Sequence, residues 1–195
     1  MNTFIYLVRH GDSPKIGDER TRGLTNKGEL GSHRVTNLLK NESINAVLSS
    51  PYTRSILTVE KLAKEIGQEV VVYEDLKERI FSAENNRISD KELIPLLEQS
   101  FFDVEYALQG GESNADCQKR AIKLLKELLT LYQGCKVVIG THGLVMTLML
   151  KYYDDKYNLN FLLHTLKPDI YRMEFNGQEL VEVTRLLERD DSLLP

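Results

Sequence analysis

The tripeptide Arg9-His10-Gly11 is the first stretch of the sequence whose residue types could carry chemistry. It follows Phe4 to Val8, a run of apolar and β-favouring residues, so it stands where a strand would end. A guanidinium beside an imidazole could bind and attack a phosphate group; alternatively, the strand has simply ended and both side chains are solvated. Because the tripeptide arises by chance in about 1 to 2% of chains of this length, it matters only if other groups reach the same place.

Polar groups also follow three further short apolar runs that predict strands. These runs are Ile44–Leu48, Val70–Tyr73 and Val137–Ile139. In an open α/β sheet, ligands bind beyond the carboxyl ends of the strands. The groups at those ends are Ser49, Ser50 and Arg54, then Glu74, Glu78 and Arg79, and finally Thr141-His142-Gly143. Two of the four histidines are therefore expected at one edge of the sheet, beside arginines and a carboxylate.

Two guanidiniums, two imidazoles and a carboxylate at one spot predict a phosphate site. Each residue alone has a structural explanation: Arg54 could lie along the surface, His142 could cap a helix, and Glu78 could pair with a neighbouring cation. Together, however, crowded cations repel each other unless an anion lies among them, and arginine forks match a tetrahedral dianion. A short helix starting at His142 would add its positive N-terminal end.

The reaction favoured by these residues is phosphate-ester cleavage without a metal ion. The chain has no Gly-x4-Gly-Lys-Ser/Thr phosphate loop, no Gly-x-Gly-x-x-Gly fingerprint, and no His and Asp cluster spaced like metal ligands. Without a metal, cleavage needs a protein nucleophile, cations on the phosphoryl oxygens and an acid for the leaving oxygen. His10 is the best nucleophile, because imidazole is neutral near pH 7 and Gly11 leaves the ring accessible.

The elements that must position these groups predict an α/β fold. Ser50-Pro51 is typical of a helix start, with Ser50 as N-cap and Pro51 in the first helical position. A capping box at Ser113 to Asp116 predicts a second helix, and its expected buried face carries Ala121, Leu124, Leu125 and Leu128. A weaker amphipathic helix is predicted over about residues 27–40. Strands that alternate with helices predict a three-layer sandwich, a mainly parallel sheet with helices on both faces.

Two further segments complete the predicted architecture. Asn176-Gly177 is a type I′ turn signal, so a C-terminal antiparallel hairpin is expected to finish the sheet. Residues 80–111 interrupt the alternation and are predicted to form a cap over the site, with a capping box from Ser89 to Glu92; the alternative is a satellite helix that completes the core. Candidate wall residues of this cap are Phe81, Phe101, Phe102 and Tyr106. The whole chain, residues 1–195, is interpreted as a single domain.

Composition narrows the class of protein. The chain has 195 residues, of which 42% are hydrophobic and 28% charged, as in soluble globular domains. Its net charge of −4 gives no electrostatic reason to expect a nucleic acid or a membrane as partner. No apolar run reaches the ~20 residues that span a bilayer, and no signal core precedes the first strand, so a cytoplasmic location is expected. Cys117 and Cys135 are expected to be free thiols.

Six short motifs occur in the order and spacing of the histidine phosphatase superfamily, also called phosphoglycerate-mutase-like. They are VRHG, LTNKG, LSSPYTRS, DLKE, GGES and GTHG, and they extend from about residue 4 to residue 146. The resemblance implies that His10 becomes a phosphohistidine and that Arg9, Arg54 and His142 hold the phosphoryl oxygens. It also implies that Glu78 protonates the leaving group and later activates water, on a small-molecule phosphate ester and with no cofactor or metal.

Departures from the mutase pattern of this family favour a phosphatase. Lys15-Ile16 replaces a Trp-Asn pair, and the acid motif keeps Arg79 but has Phe81 in place of a tyrosine hydroxyl. Residues 80–111 carry only two basic residues, Arg87 and Lys91, against six acidic ones, so this cap would repel a bisphosphorylated intermediate. A phosphoglycerate mutase and a non-catalytic phospho-ligand-binding module on the same fold are the alternatives.

Glu78 must be protonated when substrate is bound if it is the acid. Burial under the cap and the substrate dianion should raise its pKa, whereas Arg9 and Arg54 should lower it. Glu74 and Glu84 are the alternative acids. Three cations of the first loop could add substrate contacts that the sequence does not place: Lys15, Arg20 and Arg22.

Overall fold

A six-stranded mixed sheet forms the centre of the computed structural model, which describes residues 1–83 and 88–187. Glu84 and Arg87 lie outside the described residues. The strands are β1 (Thr3–Arg9), β2 (Ala46–Ser49), β3 (Val70–Val72), β4 (Lys136–Thr141), β5 (Asp169–Asn176) and β6 (Glu179–Arg185). The helices are α1 (Asn26–Leu39), α2 (Thr53–Glu65), α3 (Asp90–Phe102), α4 (Asn114–Leu131), α5 (Gly143–Lys151) and α6 (Leu159–His164), and a 3₁₀ turn covers Glu74–Leu76.

The strand order is β3-β2-β4-β1-β5-β6, and the first four strands in this order run parallel. Their carboxyl ends therefore meet at one edge. β5 and β6 are antiparallel, and Arg9 at the end of β1 lies between Thr141 of β4 and Asp169 of β5. The predicted α/β architecture, a mainly parallel sheet with a C-terminal hairpin, is confirmed.

Alternate residues of β1 point into two separate hydrophobic cores. Ile5 and Leu7 belong to the core that α4 and α5 cover, whereas Tyr6 and Val8 belong to the core that α1 and α2 cover. Side chains of a strand alternate between the faces of a sheet, so a strand buried on both faces reads as a continuous apolar run. This double burial explains why the segment before Arg9 is apolar throughout, and it gives the predicted three layers.

The capping box of α4 is confirmed, because the Ser113 hydroxyl accepts from the Asp116 amide and the Asp116 carboxylate accepts from the Ser113 amide. The predicted start of α2 is wrong. Tyr52, not Ser50, is the N-cap, and the helix begins at Thr53. The Ser50 hydroxyl instead lies 2.7 Å from Nε2 of His142. The residues between β2 and α2 thus contribute a contact to the strand ends rather than a cap to α2.

The C-terminal hairpin forms with a different turn from the predicted type I′. Asn176 pairs with Glu179, which leaves Gly177 and Gln178 as a two-residue loop. Gly177 has φ of +60°, and Gln178 does not have a positive φ. One positive φ at the first loop position corresponds to a type II′ turn, which requires glycine there.

None of the helices in residues 1–83 and 88–187 is long and apolar enough to cross a membrane.

Candidate active site

A cavity of about 700 Å³ opens at the carboxyl edge of the parallel strands. Four of the five predicted site residues line it: Arg9, His10, Arg54 and Glu78. The fifth, His142, is fully buried directly behind this wall, with its ring centroid 5.2 Å from that of His10. The topology therefore brings all five predicted residues to one place, as expected from the strand ends.

His10 is held with one ring nitrogen engaged by the backbone. Its Nδ1 lies 2.7 Å from the carbonyl oxygen of Gly11. A carbonyl only accepts hydrogen bonds, so Nδ1 carries the proton and Nε2 keeps its lone pair. Nε2 accepts a hydrogen bond from Nε of Arg54 at 3.2 Å. Burial, followed by the charges of Arg54 and Arg9, holds the pKa of His10 well below its usual value, so the ring is neutral near pH 7.

The loop after His10 packs tightly on the start of α1. A Cβ on Gly11 would lie 2.7 Å from the carbonyl oxygen of Gly28, so only glycine fits there without a shift. The Gly11 amide donates to the Thr58 hydroxyl, which in turn donates to the carbonyl of Arg54. Thr25 of the LTNKG motif caps α1 by accepting from the Gly28 amide. These contacts tie the nucleophile loop to α1 and to the helix that carries Arg54.

Arg54 is 1% exposed, and all three nitrogens of its guanidinium are engaged. Its Nη2 donates to the Glu19 carboxylate at 2.7 Å, and its Nη1 donates to the Glu19 carbonyl. Both Glu19 oxygens also accept from Arg22 at 3.0 Å. A carboxylate from the first loop thus lies where two guanidiniums converge. No sequence motif marks Glu19, and its position depends on how the loop folds back over the site.

Arg9 is anchored from the other side of the cavity. Its Nη1 donates to the hydroxyl and to the carbonyl oxygen of Thr165, the latter at 3.1 Å. Its Nε is buried and has no hydrogen-bond partner among residues 1–83 and 88–187. A Cβ on Gly143 would lie 2.8 Å from Cζ of Arg9, so the glycine lets the start of α5 pack against the guanidinium. Among the described residues, the Nε–H group of Arg9 is thus a buried donor that no protein group engages.

His142 is the N-cap residue of α5 and is linked to the end of β2. Its Nε2 lies 2.7 Å from the Ser50 hydroxyl, and that hydroxyl accepts from the amide of Tyr52. Its Nδ1 is buried and has no hydrogen-bond partner in the described part of the chain. The pKa of His142 is held well below its usual value, first by burial and then by the charge of Arg54. Its ring also contacts Tyr52 edge to face, with centroids 5.0 Å apart.

Glu78 lies on the cavity wall in the segment that follows the 3₁₀ turn. One of its carboxylate oxygens accepts from the Arg79 amide at 2.9 Å. Burial raises the pKa of Glu78, while the Arg79 amide and the charges of Arg54 and Arg9 lower it less strongly. The net direction is upward. A half-buried carboxyl of this kind stays protonated to a higher pH than a fully exposed one, which suits a proton donor.

The cations of the first loop, which the sequence did not place, each contact a carboxylate at the cavity. Lys15 lies 3.0 Å from Asp90 at the start of the cap helix α3. Arg20 donates to both oxygens of Glu74, at 2.8 and 3.1 Å, and Arg22 pairs with Glu19 as described above. The pairs of Lys15 and Arg20 are solvent-exposed, whereas that of Arg22 is largely buried.

The apolar wall of the cavity differs from the prediction. Of the four aromatic candidates only Phe81 lines the cavity, whereas Phe102 is 89% exposed at the end of α3. The wall is instead aliphatic. Its aliphatic residues are Ile80, Ile88, Leu93, Ile94, Leu97, Leu144, Leu162 and Leu163. Residues of segment 80–111, among them Ile94 and Leu97, line this cavity, and Leu97 also belongs to the main core.

Within residues 1–83 and 88–187 there is no group of three or more His, Cys, Asp or Glu side chains that could hold a metal ion.

Comparison with known proteins extends these observations. A family model described as the histidine phosphatase superfamily (branch 1) matches residues 5–185. A probable phosphoglycerate mutase GpmB of Yersinia pestis (strain Pestoides F) is 28% identical over 156 residues, which are 75% of this chain and 72% of the relative. The corresponding protein of Serratia proteamaculans (strain 568) is 28% identical over 152 residues, 73% of this chain and 70% of the relative.

Solved structures resemble the fold along almost its whole length. A phosphoserine phosphatase from Entamoeba histolytica, in complex with 3-phosphoglyceric acid, superposes with a TM-score of 0.78 at 21% identity. The match covers 96% of this chain and 98% of that one. A mycobacterial glucosyl-3-phosphoglycerate phosphatase matches with a TM-score of 0.77 at 16% identity, over 95% of this chain and 97% of that one. At these identities the likeness concerns the fold.

Proposed function

This chain belongs to the histidine phosphatase superfamily, and we propose that it is a metal-independent phosphomonoester hydrolase that works through a phosphohistidine on His10. The observation that carries the proposal is the state of the His10 ring. Nδ1 donates to the Gly11 carbonyl. Nε2 therefore carries no proton, and its lone pair accepts a hydrogen bond from Nε of Arg54. An imidazole fixed in this tautomer is a ready nucleophile.

In the first step, Nε2 of His10 attacks phosphorus, the N–P bond forms and the bond from phosphorus to the ester oxygen breaks. The Nε–H of Arg9 and the guanidinium of Arg54 suit the phosphoryl oxygens, where negative charge must be held in the transition state. Nδ1 of His142 adds a third donor in the tautomer in which the Ser50 hydroxyl donates to Nε2. Glu78 gives its proton to the departing oxygen, which leaves as a neutral alcohol. The raised pKa of Glu78 supports this role.

In the second step, water attacks the phosphohistidine. Glu78, now a carboxylate, takes a proton from the water, the N–P bond breaks and inorganic phosphate leaves. The net reaction consumes one phosphomonoester and one water and yields one alcohol and one phosphate. His10 and Glu78 return to their starting states.

The cavity wall supports a substrate with a single phosphate and an apolar leaving group. Eight aliphatic side chains and Phe81 form the apolar part of the wall. Arg20 and Lys15, which could otherwise bind a second anionic group, contact Glu74 and Asp90 instead. A second phosphate or a carboxylate on the substrate would compete with Asp90 and Glu74 for these two cations. We propose a small-molecule ester of this type as the substrate.

A direct test is to trap the phosphoenzyme. Rapid acid-free quenching with a ³²P-labelled ester should give an acid-labile, alkali-stable label on His10 that is absent from His10→Ala. Phosphate release should survive EDTA. Loss of activity on chelation that a divalent metal restores would contradict the metal-free mechanism.

Phosphoglycerate mutase is the second candidate, because Arg79 follows Glu78 and because relatives at 28% identity are named probable phosphoglycerate mutases. The test is incubation with 3-phosphoglycerate and a trace of 2,3-bisphosphoglycerate. A phosphatase releases phosphate, whereas rapid interconversion of isomers with little free phosphate would identify a mutase. Absence of turnover on any ester would favour the non-catalytic binding module.

Two remaining predictions from the sequence belong to this proposal. We propose that residues 1–195 form one domain, with 80–111 as the cap, since the apolar cores contact elements from both halves of the chain. The cytoplasmic location stays a prediction.

A further inference from the structure

We propose that the ion pair between Glu112 and Arg120 is the positioning device for the acid Glu78, and that the GGES motif exists for this purpose. This inference rests on the proposed function. Neither residue lines the cavity, so neither is assigned a contact with substrate. Both act on the segment 75–80, which carries Glu78.

Arg120, on α4, binds the backbone of this segment at three carbonyl oxygens. Its Nη1 donates to Asp75 at 2.7 Å and to Lys77 at 3.0 Å, and its Nη2 donates to Glu78 at 3.3 Å. Nη2 also lies 3.3 Å from Sγ of Cys117, one turn earlier on α4. The planar guanidinium therefore ties the carbonyl groups of three residues within one four-residue stretch to the helix α4. A lysine has no comparable fork.

Glu112 holds both Arg120 and the other side of the same segment. Its carboxylate accepts from Nε and Nη2 of Arg120, at 2.7 and 2.8 Å, and one of its oxygens also accepts from the Ile80 amide at 2.9 Å. The backbone of Glu112 is engaged as well: its amide donates to the Ile80 carbonyl, and its carbonyl accepts from Nε of Arg79. Glu78 is thus flanked by fixed backbone on both sides.

The glycine before Glu112 makes this approach possible. A Cβ on Gly111 would lie 2.5 Å from the Phe81 carbonyl oxygen and 2.9 Å from that of Ile80. Any side chain at this position would force the two segments apart. The next motif residue, Ser113, caps α4 and so fixes the helix on which Arg120 stands. Each residue of Gly111-Glu112-Ser113 therefore has a place in the same device.

The physical reason for such a device is geometric. Proton transfer to a leaving oxygen requires the acid within hydrogen-bond reach of that oxygen, and displacement by about 1 Å can cost on the order of 10²-fold in rate. The Glu78 carboxylate itself has one protein contact among those described above, the amide of Arg79. Its position is consequently set by its backbone, and Glu112 and Arg120 set the backbone.

The test uses leaving groups of different basicity. An alkyl phosphate needs its leaving oxygen protonated, whereas p-nitrophenyl phosphate hardly does. We expect Arg120→Ala and Glu112→Gln to lower kcat for the alkyl ester about 10- to 100-fold, as when groups that orient a reactive ligand are removed. The loss for p-nitrophenyl phosphate should be no more than about threefold on the same grounds. Arg120→Lys, which keeps the charge, should recover part of the alkyl-ester activity.

A double-mutant cycle separates positioning from a general effect on the fold. In a Glu78→Gln background, Arg120→Ala should cost no further alkyl-ester activity, because there is no acid left to position. Ile122→Val, a conservative change in the buried face of the same helix, is the control and should leave the ratio between the two esters unchanged. If Arg120→Ala does not fold, the same double-mutant cycle with Glu78→Gln is measured for Glu112→Gln and for Arg120→Lys.

Equal losses on both esters, equal costs with and without Glu78, or no loss at all would overturn the positioning role. Failure of the proposed function is recognised separately, since the unmutated protein would then form no phosphohistidine and release no phosphate from either ester. That result would overturn both proposals.

Discussion

Nε of Arg54 donates a hydrogen bond to Nε2 of His10 over 3.2 Å. This contact excludes a proton on Nε2, because two N–H groups would otherwise face each other. This hydrogen bond can exist only before His10 reacts, because the Nε2 lone pair that accepts it is the lone pair that would form the N–P bond. Arg54 must therefore transfer its Nε donor from His10 to a phosphoryl oxygen as the proposed reaction proceeds.

Removal of the Arg54 guanidinium should impair the proposed reaction strongly. We expect Arg54→Ala to lower kcat on p-nitrophenyl phosphate by about 10²–10³-fold, the cost of losing a donor to a developing oxyanion. Phosphoenzyme formation should slow in parallel, measured by rapid quench. Arg34→Ala, an equivalent truncation of an exposed arginine on α1, is the control. Unchanged phosphorylation of His10 in Arg54→Ala would show that Arg54 does not hold the phosphoryl group.

Glu78→Gln should act selectively on esters with poor leaving groups. We expect a loss of about 10²–10⁴-fold on alkyl phosphates, the usual contribution of a general acid, with a much smaller loss on p-nitrophenyl phosphate. Since burial raises the pKa of Glu78, the alkyl-ester rate of the unmutated protein should fall as pH rises above that pKa. The optimum should lie on the acid side of neutral.

Glu74→Gln is the matched variant for this test, because Glu74 also lines the cavity but pairs with Arg20. It should not change the ratio between the two esters. A selective alkyl-ester loss in Glu74→Gln, with equal losses in Glu78→Gln, would transfer the acid role to Glu74.

The first loop should weaken anion binding through Glu19. Its carboxylate lies 2.7 Å from Nη2 of Arg54. A phosphate that binds the Arg54 guanidinium is therefore repelled by the negative charge of Glu19. Glu19→Gln removes this repulsion and should lower the inhibition constant of inorganic phosphate about fivefold, equivalent to ~1 kcal/mol between unit charges 4 Å apart in water. Asp18→Asn changes the charge of the same loop at a residue that contacts Arg20 and Thr21, and it serves as the control.

Weaker phosphate binding in Glu19→Gln would contradict this repulsion. It would mean that Glu19 acts chiefly to hold the Arg54 and Arg22 guanidiniums in place.

Folding stability should decrease as pH falls below about 6.5, the ordinary histidine pKa. His10 and His142 have lowered pKa values in the folded protein, so the unfolded chain binds more protons in this range. Each contributes a slope of roughly 1.4 kcal/mol per pH unit between its unfolded and folded pKa. The raised pKa of Glu78 acts in the opposite sense, from its ordinary pKa of ~4.3 upward to its folded value.

Urea unfolding between pH 5 and pH 8 measures this slope. His142→Gln should reduce the slope of the unfolding free energy with pH by the contribution of one histidine. His33→Gln, on the exposed side of α1, controls for the loss of an imidazole. A slope that is the same in all three proteins would mean that His142 does not titrate differently in the folded and unfolded states.

Packing of Gly143 against Arg9 predicts a substitution that harms the site more than the fold. Gly143→Ala places a Cβ 2.8 Å from Cζ of Arg9, whose guanidinium is pinned by Thr165. We expect a loss of kcat/KM of about tenfold or more, as for a misplaced catalytic group. Gly23→Ala, where a Cβ would lie 3.5 Å from Leu57, is the matched control. Similar activity of the two variants would contradict a functional need for close packing at Gly143.

The sequence by itself determined the architecture and the meeting point of the five predicted site residues. Apolar runs of strand length, separated by capped helices, are sufficient for a parallel sheet, and the residues after such strands necessarily share one edge. His10, Arg54 and His142 could therefore be grouped although they are far apart in the chain. The order and spacing of six short motifs also indicated the family to which the chain belongs.

Only the tertiary structure decided the surroundings of those residues. Glu19 reaches Arg54 because of the path of a loop, and loop paths depend on contacts distant in sequence. Phe102 points to solvent while aliphatic residues form the wall, because the rotation of α3 about its axis is set by packing rather than by pattern. Ser50 contacts His142 instead of capping α2, and Arg120 reaches the backbone beside Glu78 from a helix that begins 36 residues later. Such contacts join segments whose local sequences carry no information about each other, so packing alone determines them.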